Sequence, residues 1–125
     1  MNINWFSKVD KSSFATIYKT NITINKVASL FIEDAYKCQI GLDKESKAIY
    51  IKPISKQKFD SNTLDEDSLF NLSVSKTYCR ISSTDFVNLV STITKIDYTL
   101  GKKKYSCSYL KDENMLKIDL TKEVE

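Results

Sequence analysis

The sequence contains no histidine, two glycines, one proline and a single arginine among its 19 basic residues. Histidine is the commonest general base and neutral metal ligand, so its absence excludes a serine-hydrolase triad and a histidine metal site. Because Gly41 and Gly101 are the only glycines, a glycine-rich loop that cradles phosphate is excluded as well. The chain therefore lacks the side-chain sets by which most enzymes are recognised.

Cysteine is also scarce, with Cys38, Cys79 and Cys107 forming an odd set without C-x-x-C spacing. This argues against a disulfide framework and against a thiolate zinc site, so we expect three buried free thiols. The acidic run 65–67 lacks the glycine and the terminal glutamate of a calcium loop, which favours a solvated loop. We accordingly expect no enzymatic activity, no metal and no cofactor.

No stretch approaches the roughly 18 apolar residues that span a bilayer, and residues 1–8 lack a basic region followed by an apolar run. We therefore expect a cytoplasmic protein with no membrane contact. An apolar fraction of 42% in 125 residues is enough for one core, which predicts a single domain over residues 1–125. Abundant lysine, asparagine and isoleucine indicate an AT-rich bacterial, phage or plasmid genome.

An internal similarity divides the chain into two halves. Residues 14–25 are echoed by residues 70–82, and Tyr36–Ile40 is echoed by Tyr105–Tyr109 with tyrosine and cysteine at the same spacing. Few identities survive in this alignment, so a coincidental similarity stays open as the alternative. The prediction is a pair of repeat-like halves, 14–55 and 70–120, joined by an acidic loop over 56–69.

Each half alternates apolar and polar residues over two short strands, changes to helical spacing, and returns to alternation in a hairpin. This order predicts an α+β fold, a mainly antiparallel β domain with two short helices. The first helix is expected to be capped by Asn25 and the second by a hydroxyl among residues 82–84. The predicted core-facing helix residues are Val27, Leu30, Phe31 and Ala35 in the first half, and Phe86, Leu89, Val90 and Ile93 in the second.

The hairpins follow from alternation on both arms around charged tips at 43–47 and 111–114. The apolar face is predicted to hold Tyr36, Cys38, Ile40, Ile49, Ile51 and Pro53 in the first hairpin, and Tyr105, Cys107, Tyr109, Leu116, Ile118 and Leu120 in the second. Residues 95–104 are interpreted as a loop, with a short additional strand through Ile96, Tyr98 and Leu100 as the alternative.

Two phrases in the first half carry a family resemblance. Thr23–Lys26 ends a strand before a short helix, and Gly41–Pro53 is a hairpin with a lysine-proline exit. Each half thereby resembles the AbrB-type swapped-hairpin DNA-binding family, and Arg80–Ser83 with its helix and hairpin matches in the second half. The resemblance implies two interlocked units in one chain, as in MraZ-like members, and DNA binding. The chain departs from the family pattern at Asn25, where proline is usual, and in its scarcity of arginine.

The leading functional hypothesis is a small DNA-binding transcriptional regulator. Lys19, Lys26 and Arg80 lie near the ends of equivalent strands, and the run Lys102, Lys103 and Lys104 adds further phosphate-contacting candidates. Six tyrosines could stack on single-stranded bases if exposed on a sheet, although packing within a sheet is the more usual role of alternating tyrosines: Tyr18, Tyr50, Tyr78, Tyr98, Tyr105 and Tyr109.

The alternative hypothesis is a non-enzymatic protein-interaction module, related to a phage, plasmid or toxin system. Its contact surface would be a sheet edge or the acidic loop. Both hypotheses are compatible with a homo-oligomer.

Overall fold

The computed structural model describes residues 1–3, 5 and 12–124; part of the N-terminal stretch considered above lies outside them. The elements follow the order two strands, helix, two strands in the first part of the chain and again in the last part. In chain order they are β1 (Phe14–Ile17), β2 (Asn21–Asn25), α1 (Lys26–Ser29), β3 (Lys37–Asp43), β4 (Ala48–Ile54), α2 (Lys56–Asp60), a 3-10 helix (Glu66–Ser68), β5 (Ser73–Val74), β6 (Tyr78–Ser82), α3 (Thr84–Thr94), β7 (Lys103–Leu110) and β8 (Met115–Val124).

All eight strands belong to one antiparallel sheet in the order β3-β4-β8-β7-β1-β2-β6-β5. Hairpins from the first part of the chain alternate across this sheet with hairpins from the last part. At the two ends of the order, the backbones of Cys38 and Phe70 exchange hydrogen bonds of 3.0 and 2.8 Å. The sheet therefore curves until β3 meets the segment that leads into β5.

The core lies on the concave face of this sheet, where alternate residues of each strand are buried. In β2, Ile22 and Ile24 are buried and the residues between them are not, as the alternation predicts. The largest wholly buried side chains come from six strands and the segment after α1: Ile17, Ile22, Ile24, Ile32, Ile49, Ile51, Ile81, Tyr105, Leu116 and Ile118.

Both predicted hairpins form, with register Ile40↔Ile51 in the first and Cys107↔Ile118 in the second. Their predicted buried sets are largely confirmed. Tyr36 is an exception, since it precedes β3 and is exposed against Phe59 of α2 at a ring-centroid distance of 4.8 Å. Its side chain caps the hairpin from outside and does not enter the core.

The first helix is shorter than predicted, because α1 holds one turn and loose turns follow it to residue 34. Its cap is confirmed: the Asn25 side-chain oxygen accepts from Ala28 N at 3.2 Å. The predicted core stripe is wrong, since Ala28, Ser29 and Ile32 are buried whereas Leu30 and Phe31 are exposed. One turn is too short for residues three and four apart to build a long apolar stripe.

The second helix, α3, begins as predicted, with Ser83 Oγ accepting from Phe86 N at 3.2 Å. Val87 and Val90 are its buried residues, whereas Leu89, which was predicted to face the core, is exposed.

The prediction of two helices is wrong, because α2 lies within the connection that was interpreted as a loop. The segment has no apolar periodicity, and α2 is held by the Ser55 cap and the exposed pair Lys56–Asp60 at 2.9 Å. The predicted loop over 95–104 ends earlier than expected, since Lys103 and Lys104 belong to β7. The alternative strand through Ile96, Tyr98 and Leu100 does not form in this described segment, which is a turn.

Candidate nucleic-acid interface

The side of β6, β2, β1 and β7 that faces away from the core carries one cross-strand line of polar and basic residues, of which Thr16 is itself buried. Register pairs Arg80 with Thr23, Thr23 with Thr16, and Thr16 with Lys104. We call these four residues the basic row. Neighbouring strands lie about 4.8 Å apart, so three strand spacings put the Cα atoms of Arg80 and Lys104 roughly 14 Å apart.

The four strands that carry the basic row contain no aspartate or glutamate. A polar face that carries basic side chains and no acidic ones produces a positive potential, which attracts anions. A flanking acid, Asp97, lies beyond α3, where hydrogen bonds from Thr99 lower its pKa. Its charge lies beside the β1–β2 turn, where the ammonium of Lys19 also lowers its pKa, so Lys19 has a carboxylate nearby although the two make no ion pair.

The six basic residues singled out from the sequence fall into two groups. Lys26 pairs with Glu33 at 2.8 Å, and Lys103 pairs with Glu123 at 3.2 Å. The other four make no ion pair with any residue that the structure describes: Lys19, Arg80, Lys102 and Lys104. These four are the cations that are available to an anionic partner.

Aromatic rings position two of these cations. The Lys102 Nζ lies 5.8 Å from the centroid of the Tyr18 ring, and the Lys104 Nζ lies 4.8 Å from that of Phe14. Such contacts restrain a lysine side chain without neutralising its charge. Both ammonium groups therefore stay near the outer surface of β1.

A polar depression of about 380 Å³ lies at one end of the basic row. We call it the tyrosine pocket; it is lined by Tyr18, Asn21, Thr23, Tyr78 and Arg80. Thr23 donates a hydrogen bond to the Asn21 side-chain oxygen at 3.1 Å, and the Asn21 amide donates to Thr20 at 3.3 Å. The asparagine at the floor of the pocket is therefore oriented by its neighbours.

From the sequence, Tyr18 and Tyr78 were candidates for base stacking and Arg80 a candidate for phosphate contact, whereas Asn21 and Thr23 were missed. The sequence did contain a pattern that indicates Asn21 and Thr23, since β2 alternates polar and apolar residues and its polar side lies away from the core. The pairing of β2 with β6, which brings Thr23 beside Arg80, could not be predicted from the sequence.

Three other tyrosines, Tyr98, Tyr105 and Tyr109, serve packing. Tyr98 and Tyr105 are buried with their hydroxyls 3.0 Å apart, and burial followed by this hydrogen bond raises the pKa of Tyr105 above its usual range. Tyr109 stacks on Phe31 with ring centroids 4.2 Å apart. None of these three rings is free to receive a base.

The three cysteines are buried free thiols, as predicted. Burial raises the pKa of both Cys38 and Cys107 to about 12, and the nearby Cys79 adds to the effect at Cys38. A thiol that stays protonated is a poor nucleophile and a poor metal ligand. In the described part of the chain, no group of three acidic or cysteine side chains could hold a metal ion.

On a different surface, a groove of about 430 Å³ separates the turns after α1 from the end of β4 and α2. We call it the apolar groove, after its residues Leu30, Phe31, Ala35, Pro53, Ile54 and Leu64. Leu30 is 55% exposed and Phe31 is 48% exposed. Three of these residues, Leu30, Phe31 and Ala35, were predicted to face the core and instead line this groove.

Comparison with known proteins finds no matching family model, no matching curated protein and no matching solved structure. Among the helices of the described residues, none is long and apolar enough to cross a membrane.

Proposed function

We propose that this chain is a small, non-enzymatic DNA-binding regulator with an AbrB-like architecture, acting in the cytoplasm. The observation that carries the proposal is the acid-free outer face of four adjacent strands, with Arg80 and Lys104 unpaired on it. Lysine and arginine on such a face gain affinity by releasing counterions from the phosphate backbone.

The proposal includes the internal repeat of residues 14–55 and 70–120. It is supported by the strand order: exchanging β1 to β4 with β5 to β8 leaves the order unchanged once Cys38 and Phe70 close the sheet. Hairpins that alternate between two units are what the swapped-hairpin resemblance implies. At the departure from the family pattern, Asn25 starts the helix by capping, so proline is dispensable there.

In the proposed complex, Arg80 and Lys104 contact phosphates at opposite sides of a groove. Their backbone separation of roughly 14 Å is close to the major-groove width of about 12 Å. Lys19 and Lys102 extend the contact beside the β1–β2 turn. Lys26 and Lys103 join only by leaving Glu33 and Glu123, which costs little because exposed pairs contribute about 0–1 kcal/mol.

The test is fluorescence anisotropy with a labelled duplex of mixed sequence at low salt. The wild-type chain is expected to bind non-specific sites with a Kd of roughly 1–100 µM at physiological salt and more tightly at the low salt of the assay. The double variant Arg80→Glu and Lys104→Glu is expected to lose this binding. Lys111→Glu is the matched control, since it lies at the β7–β8 tip about 20 Å along the strand from Lys104.

Circular dichroism and thermal melting verify that each variant is folded. Wild-type chain that does not bind duplex at low salt would overturn the proposal. Equal losses in the Lys111 variant and the double variant would overturn it too, because charge alone and not the basic row would then set the affinity.

A protein-interaction module is the second candidate, and the apolar groove is the observation that favours it. Leu30 and Phe31 expose apolar surface there, and exposed apolar patches commonly mark contact surfaces. The test is sedimentation of the wild-type chain and of Leu30→Asp. Self-association that Leu30→Asp abolishes and Lys104→Glu leaves unchanged would support this candidate, whereas a monomer at all concentrations would remove its homo-oligomeric form.

A further inference from the structure

We propose that the tyrosine pocket binds an unpaired nucleotide of single-stranded DNA, with its base on a tyrosine ring and its phosphate on Arg80. This binding mode goes beyond duplex binding by the basic row, with which it shares Arg80 and Thr23. The pocket combines two tyrosine rings, a guanidinium and an amide within about 380 Å³. Ligand sites in proteins typically measure about 300–1,000 Å³.

Arg80 supplies the charge for this site. Its guanidinium makes no hydrogen bond or ion pair with any other residue in the described ranges, although it has five N–H donors. No acidic residue lines the pocket, and Lys102 stands beside Tyr18 at its rim. A planar donor fork without a protein partner suits the bidentate recognition of a phosphate group.

The two tyrosines supply the stacking surface. Tyr18 and Tyr78 are half-buried, so each ring is packed on the sheet and still presents surface to the pocket. Neither hydroxyl has a hydrogen-bond partner within the described part of the chain. These rings differ in this respect from Tyr98 and Tyr105, whose hydroxyls are satisfied inside the core.

The stacking geometry selects unpaired bases. In a duplex each base is covered on both faces by its neighbours, so a tyrosine side chain cannot lie against it. In a single strand the bases can unstack and place one face on an aromatic ring, a contact that tolerates any sequence. Asn21 retains one amide N–H and one lone pair beyond its two internal hydrogen bonds, which can contact the polar edge of the base.

The experiment compares two labelled ten-nucleotide probes of equal charge, oligo-dT and an abasic deoxyribose-phosphate strand. Oligo-dT is expected to bind at least about 5-fold more tightly, because each stacked base contributes roughly 5- to 150-fold in affinity. Equal affinity for the two probes would show that only charge is recognised and would overturn the proposal.

The pocket variants are Tyr18→Leu and Tyr78→Leu, and the one that removes the ring carrying the base is expected to weaken oligo-dT binding by at least about 5-fold. Tyr78→Phe keeps the ring and is expected to bind as wild type does, which separates loss of stacking from loss of fold. Tyr50→Leu is the matched control, a half-buried tyrosine on the outer face of β4, three strands away from β1. Leucine variants that bind oligo-dT as tightly as Tyr50→Leu does would overturn the proposal.

Duplex binding measured on the same variants keeps the two proposals distinguishable. Loss of duplex binding in Lys104→Glu with no effect of the tyrosine variants on oligo-dT would leave the regulator proposal and remove the pocket. No duplex binding by the wild type, together with tyrosine-dependent binding of oligo-dT, would remove the duplex proposal and keep the pocket.

Discussion

Replacing Arg80 and Lys104 by glutamine removes two of the four unpaired cations and keeps polar side chains on the outer face. Each phosphate neutralised in B-DNA adds about −0.9 to the slope of log affinity against log salt concentration. Four contacts from Lys19, Arg80, Lys102 and Lys104 give an expected slope of about −3.6 for the wild type. The double glutamine variant leaves two contacts, so a slope of about −1.8 is expected.

These slopes translate into a large difference between low and moderate salt. Raising salt from about 50 to 200 mM is expected to weaken wild-type binding roughly 150-fold and the double variant roughly 12-fold. Anisotropy titrations at four or more salt concentrations measure both slopes. A variant slope equal to that of the wild type would refute the reasoning, because Arg80 and Lys104 would then release no counterions on binding.

Three further predictions concern stability. The folded-state pKa of Cys38 and Cys107 is about 12 against an ordinary value of 9.0, so the unfolded state ionises first as pH rises. Stability is therefore full below about pH 8 and falls by roughly 1 kcal/mol per thiol as the pH rises to 10, a loss that Cys38→Val with Cys107→Val should reduce in urea titrations, with Cys79 left to contribute because its pKa is raised as well. Ile118→Ala, at a wholly buried position of β8, is expected to cost roughly 2–5 kcal/mol in the same assay, and no loss would place the core elsewhere. Asn25→Ala removes bonds to Phe14 N, Ala28 N and the Ser12 carbonyl and is expected to cost about 2 kcal/mol, against about 0.5 kcal/mol or less for the exposed Asn88→Ala.

The elements that sequence predicted well are those whose signal is local. Alternation in β3, β4, β7 and β8 fixes which side of each hairpin is buried, because neighbouring side chains point to opposite faces. The α3 start follows from a hydroxyl cap before an apolar periodic run. Both signals act within a few residues, so they need no knowledge of the rest of the fold.

The errors come from short or weakly patterned segments. A single helical turn at α1 cannot define a buried face by periodicity, which is why Leu30 and Phe31 were wrongly assigned to the core. The α2 helix lacks an apolar stripe altogether and depends on its cap and on an exposed ion pair. Tertiary packing determines where such short helices form and which face they bury, and this packing cannot be read from their own residues.

The candidate site was only partly predictable for a related reason. The sequence identified Arg80 and Lys104 as separate phosphate-contacting candidates but could not align them. Their alignment depends on β2 pairing with β6 and on β1 pairing with β7, contacts between residues far apart in the chain. The tyrosine pocket likewise exists only once three strands have set its walls.

The interleaved hairpins also determine how this chain can fold. The β1–β2 hairpin borders β7 and β6, and the β3–β4 hairpin borders β8, so each hairpin finds its neighbours in the other part of the chain. Ile24, for example, must meet Cys79, about 55 residues later. Sheets dominated by such distant pairings fold on a timescale of milliseconds to seconds.

Separate fragments carrying residues 12–60 and 61–124 would each hold two complete hairpins without the strands that border them. Such fragments are expected to stay unfolded alone and to assemble when mixed. In the intact chain, the segment around α2 acts as a tether that raises the effective concentration of one fragment for the other, so folding resembles the docking of two partners.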